Sequence, residues 1–124
     1  MNTLNLIALL RPYEVCKQCH YQTKRGFRHG QYDVLAKVVR KYGDAFIETF
    51  MYYEGKTGLV PRDVPTPFLY GQDDAQAWKI ADESISVMYN TMAKIAKGKI
   101  DLEKLVQDFI QEAHQILALI KEYE

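Results

Sequence analysis

The sequence predicts an all-α protein, a single-domain bundle of four to five helices, and three observations carry that reading. Apolar residues in the second half recur at alternating spacings of three and four, which lines them up on one face of a helix. The link between the two segments that carry them, Gly98-Lys99-Ile100, is too short for anything but a helical hairpin. The chain has 124 residues, 48% of them apolar and 26% charged, which suits one globular core and indicates neither disorder nor a fibrous class.

Residues 4–10 read as either a short leading helix or a strand. Pro12 suits the first turn of a helix, where its missing amide hydrogen would be unpaired anyway. That helix runs to about Thr23 with Val15, Cys16 and Cys19 on one side, and 26–30 form the connection. Val34, Leu35, Val38, Val39, Tyr42, Phe46, Ile47 and Phe50 give a broad apolar face from about 31 to 54, in which Gly43-Asp44 marks a kink or a stop followed by a new cap. Residues 55–72, GKTGLVPRDVPTPFLYGQ, hold three prolines and three glycines, so no helix crosses them. Val60, Val64, Phe68, Leu69 and Tyr70 indicate a long loop packed on the bundle, and the domain is not split there.

Asp73 or Asp74 caps the next helix, whose stripe is Trp78, Ala81, Ile85, Met88, Met92 and Ile95, and Gly98 supplies the left-handed residue that ends it. Asp101 is the expected N-cap of the last helix, with Leu102, Val106, Phe109, Ala113, Ile116, Ile120 and Tyr123 on its stripe. The two helices, about 73–97 and 101–123, form an antiparallel pair with their stripes facing.

The neutral total conceals an asymmetry. Residues 1–62 hold ten Lys/Arg against five Asp/Glu, a net +5, and residues 63–124 hold six against eleven, a net −5. Between Lys17 and Lys41 there are seven Lys/Arg and one acid, Asp33, so an anion would be drawn there. No apolar run approaches the roughly eighteen residues that span a bilayer, and 4–10 is too short and lacks the basic start of an export signal. The chain therefore reads as cytoplasmic, with Cys16 and Cys19 as thiols or metal ligands, not a structural disulfide.

One stretch, CKQCHYQTKRGFRHG at 16–30, gathers the versatile side chains. Cys16, Cys19 and His20 match the pattern that attaches c-type haem, but attachment follows export and no export signal is visible. Zinc is the better metal reading, from Cys16, Cys19 and His20 or His29. A closed site needs four protein ligands, however, and three on one helix do not readily share a tetrahedron. Buried thiols packing as small hydrophobes beside a partly solvated histidine are the plain alternative. Lys17, Lys24, Arg25, Arg28 and His29, with glycines and Tyr21, Phe27 and Tyr32 among them, have the composition of a nucleic-acid contact, and Lys37, Arg40 and Lys41 continue it along the next helix. No cofactor is required.

Enzyme signatures are thin. The chain lacks a Gly-rich phosphate loop, G-x-S-x-G, H-E-x-x-H and the Glu-x-x-His pairs of a di-iron bundle. His114 flanks the apolar seam of the last helix, and Asp73-Asp74 and Asp82-Glu83 are adjacent acids that do not face one another. No catalysis is expected.

In format, over its whole length, the chain resembles the small helical subunits of CRISPR-Cas effector complexes of the Cascade-like kind, with Lys24, Arg25, Arg28, Lys37, Arg40 and Lys41 where such a subunit touches nucleic-acid backbone. No single motif carries the likeness. It implies a role in antiviral defence: a non-catalytic subunit that packs beside other proteins, including copies of itself, and holds single-stranded DNA or RNA without cutting it. A patch neutralising roughly four to six phosphates would give a log K against log salt slope of about −3 to −4. The alternative is a protein-binding module, a phage-type inhibitor or assembly adaptor acting through charge-complementary surfaces. A structural zinc protein is a further, lesser alternative.

Overall fold

The computed structural model describes residues 3–24, 26–62 and 73–123, the side chain of Thr57 excepted. Four helices dominate these: α1 (Leu6–Gln22), α2 (Phe27–Glu54), α3 (Asp74–Ala96) and α4 (Ile100–Glu122). Two short strands, β1 (Leu4–Asn5) and β2 (Leu59–Val60), pair in parallel, Leu4 with Leu59 and Asn5 with Val60. The protein is an all-α helical bundle.

The first helix starts earlier than Pro12 suggested. The Asn5 side chain accepts from the Ile7 amide at 3.2 Å, an N-cap that launches α1 at Leu6 and leaves Pro12 inside it. Pro12 has no amide hydrogen for the carbonyl of Ala8, a cost that the burial of the apolar side chains of Ala8, Leu9 and Pro12 offsets. Residues 4–10 are thus both things expected of them: two strand residues, then helix.

Thr23 ends α1, its amide and hydroxyl both donating to the Cys19 carbonyl, at 3.0 and 2.7 Å. Gly26, at φ 138°, makes the reversal, and α2 begins at Phe27, so Gly30 belongs to the helix, not to the connection. The Gly43-Asp44 pair neither stops nor recaps α2, which runs unbroken for 28 residues. Gly43 is there for approach: a Cβ on it would come 3.3 Å from the Leu9 carbonyl oxygen, so α1 and α2 touch backbone to backbone.

The second pair follows its pattern closely. Asp73 caps α3 by accepting from the Gln76 amide at 2.8 Å, and Gly98 at φ 81° ends the segment. Asp101 is not the cap of α4; Lys99 holds that position without a side-chain bond, and Asp101 lies in the first turn, where its charge still complements the helix dipole. Tyr123 lies past the end of α4 and is exposed instead of completing the stripe.

Each helix packs against two others in the cyclic order α1, α2, α4, α3. Phe27 meets Tyr123 and Tyr53 meets Asp101, so α2 and α4 are antiparallel. Cys19 reaches Ala77 near the start of α3, so α1 and α3 are antiparallel as well. It follows that α2 ends at one pole of the bundle and α3 begins at the other. A helix of 23 residues is about 34 Å long, which explains why this connection is long while the other two are short. Its residues Val64, Phe68, Leu69 and Tyr70 lie outside the described residues. Phe46 and Phe50 from α2, Ile85, Met88 and Met92 from α3, and Leu102 and Phe109 from α4 are fully buried in one cluster. Trp78 lies at its margin, its Nε1 donating to the Leu117 carbonyl at 2.8 Å.

Candidate functional site

The basic stretch from Lys17 to Lys41 occupies the end of α1, the turn after it and the first half of α2. The structure brings these residues into one neighbourhood but supplies several of them with carboxylates from the same chain. Lys17 Nζ donates to Asp33 Oδ1 at 2.8 Å, and Lys37 Nζ reaches Asp33 Oδ2 at 3.3 Å. Arg28 Nη2 contacts Asp74 Oδ2 at 2.7 Å, tying the start of α2 to the start of α3. The hydrogen bond from Lys17, more than any other influence, holds the Asp33 carboxyl below its ordinary value, and the same bond raises Lys17.

Three cations of the stretch make no ion pair among the described residues: Lys24, Arg40 and Lys41. Arg40 lies over the Tyr13 ring at 5.7 Å and Lys41 over the Tyr42 ring at 4.9 Å, so the two lean to opposite flanks of α2. Asp44 and Glu48 are exposed further along the same helix. Arg25 lies outside the described residues. Among the described residues the cationic surface expected from the sequence is thus interrupted by carboxylates, one of them, Asp33, from within the stretch and one, Asp74, from α3.

The cysteines and histidines part company. Cys16 and Cys19 face inward with no exposed surface, and the Cys19 thiol donates to the Ala77 carbonyl at 3.5 Å. Burial pushes the Cys19 thiol up to about 12, and raises Cys16 further still with help from its neighbour. These are inert, protonated groups in the core. His20 and His29 instead stack on each other, ring centres 3.9 Å apart, at the α1–α2 turn. His20 Nδ1 is 2.7 Å from the His29 carbonyl and His29 Nδ1 is 3.1 Å from the Thr23 carbonyl. A carbonyl only accepts, so both Nδ1 atoms carry hydrogen and the pair fastens the turn. The four candidate zinc ligands are not gathered into one site, and no group of three or more His, Cys, Asp or Glu among the described residues is placed to hold a metal ion.

A different surface was not foreseen. At the far pole, where α2 ends and α4 begins, Tyr52 is 91% exposed and Ile100 is 80% exposed. The Tyr53 hydroxyl donates to Asp101 Oδ2 at 3.4 Å, which brings the end of α2 against the start of α4, the two segments that carry these residues. Tyr52 breaks the apolar periodicity of α2 and Ile100 precedes the stripe of α4; a large apolar residue off its stripe was the signal available in the sequence. No helix of the described residues is long and apolar enough to cross a membrane.

Comparison with family models, curated proteins and solved structures finds no match to this chain. The likeness to CRISPR-Cas small subunits thus rests on format.

Proposed function

We propose that the chain is a non-catalytic helical subunit of a larger assembly that docks on a protein partner through its Tyr52–Ile100 pole. The observation behind this reading is the near-complete exposure of an aromatic and a branched apolar residue at one end of the bundle. Scattered single apolar residues are normal on a surface, but two large ones exposed at one end of a bundle, with the exposed acids Asp101 and Glu103 next along α4, have the make-up of an interface centre with a polar surround. The opposed charge of the two halves would orient the approach more than strengthen it.

The test is affinity capture after nuclease treatment with the native chain and with Tyr52→Ser/Ile100→Ser. One protein retained stoichiometrically by the native chain and lost by the variant is the expected result. Retention that disappears with nuclease, or is indifferent to both substitutions, rejects the reading.

Lys24, Arg40 and Lys41 favour a second reading, contact with single-stranded nucleic-acid backbone, since they are exposed and free of ion pairs among the described residues. Three phosphates neutralised on a single strand correspond to a slope of about −2, shallower than the −3 to −4 that the unpaired composition implied. Arg40→Gln/Lys41→Gln should flatten that slope to about −0.7. Affinity that does not vary with salt would exclude this contact.

A further inference from the structure

A cleft of about 250 Å³ opens where β1, β2 and α3 meet, with Thr3, Asn5, Arg62, Thr91 and Lys94 among its lining. Its polar chemistry is one-sided. Among the described residues no carboxylate lines it, and neither the Arg62 guanidinium nor the Lys94 ammonium has a partner. Asn5 fixes the arrangement: its Oδ1 accepts from the Ile7 amide at 3.2 Å and from the Arg62 amide at 3.0 Å. With both those bonds taken by the oxygen, the amide orientation is determined and the Nδ2 hydrogens are left over. The same bond from Arg62 holds its backbone at the cleft, next to the strand pair. Thr91 spends its hydroxyl hydrogen on the Val87 carbonyl at 2.9 Å, whereas the Thr3 hydroxyl has no acceptor among the described residues.

We infer that this cleft binds a phosphate-class oxyanion through Arg62 and Lys94, with Asn5 Nδ2 and the Thr3 hydroxyl as neutral donors. Two cations and two neutral N–H or O–H donors around one concavity match the acceptor-only chemistry of such an ion. The volume lies below the roughly 300 to 1,000 Å³ of sites for drug-sized molecules, which limits the ligand to free phosphate or the phosphate end of a small monoester. The cleft lies at the same end of the bundle as Tyr52 and Ile100 but is lined by neither, nor by any residue of the Lys24–Lys41 stretch, so its test does not depend on either reading above.

The experiment is a titration of the full chain with inorganic phosphate, followed by amide NMR shifts at constant pH and ionic strength, with glycerol phosphate in a parallel arm. Saturable shifts at Asn5, Ile7 and Arg62 are expected. Tighter binding of glycerol phosphate would assign the site to a monoester and equal binding to free phosphate; both support it. Arg62→Gln and Lys94→Gln, each at an exposed position, should weaken binding about threefold to tenfold apiece and together remove saturation. Lys79→Gln, an exposed lysine of the same helix, should leave it unchanged. Shifts that rise linearly without saturating, or that fall equally in the Lys79 variant, overturn the proposal.

Discussion

The α3–α4 hairpin and the α1–α2 pair are both antiparallel helices on one core, yet they close by different means. The hairpin is held by the regular interlock of large apolar side chains, Ile85, Met88 and Met92 with Leu102, Val106 and Phe109. The first pair closes through small residues and backbone: Gly43 against the Leu9 carbonyl, Ala36 and Ala8 buried, and a turn fastened by Thr23 and two histidines. Side-chain interlock writes itself into spacing, and close approach does not. A glycine in a helix looks the same in sequence whether it breaks the helix or admits a neighbour.

The largest effects test whether the two pairs share one core. Phe46→Ala in α2 and Phe109→Ala in α4 should each cost about 3 to 5 kcal/mol and lower a single unfolding transition, measured by urea denaturation. Two separate transitions would split the bundle into independent pairs. In the native chain, thiol labelling of Cys16 and Cys19 should proceed no faster than global unfolding, since both are without exposed surface; prompt labelling would mean that α1 opens alone.

Smaller effects probe the caps and contacts. Asp73→Ala removes the bond to the Gln76 amide and should cost about 1 kcal/mol, whereas Asp101→Ala, which takes away no cap, should cost less. Gly30→Ala meets nothing within 4 Å and should stabilise by about 0.5 to 1 kcal/mol. Gly43→Ala should show no such gain, because its methyl must push against Leu9; equal stabilisation by both would remove the backbone contact as the reason for Gly43.

The smallest effect is in acid. The Asp33 carboxyl titrates below its ordinary 3.8, so its contribution is whole above that pH and is lost as pH falls through the lower folded value. Asp33→Asn should therefore flatten the acid limb of the stability curve below about pH 4, and Asp44→Asn, whose carboxylate makes no ion pair among the described residues, should leave it unchanged. Identical limbs would mean that Lys17 and Lys37 do not hold Asp33 in solution.

Much of the architecture was legible because helix formation depends on neighbours three and four residues away. The stripe of α3, its Asp73 cap and the Gly98 stop were all readable on that basis. The start of α1 was misplaced because Pro12 is a strong local signal and the Asn5 cap a weak one, and burial of Pro12 reversed their order. Asp101 was misassigned as a cap because several positions near a helix start favour an acid alike.

The helical class, the C-terminal pair and the opposed charge of the two halves could all be read from the residue order, since each follows from local spacing or simple counting. Which cations lack an ion-pair partner among the described residues followed from packing alone. Arg28 finds Asp74 and Lys17 finds Asp33 across gaps in the chain that no local rule spans, while Arg62 and Lys94 meet at one cleft only because β1, β2 and α3 converge. Ion pairing depends on distance in space at a few ångströms, and that distance is set by how the helices pack.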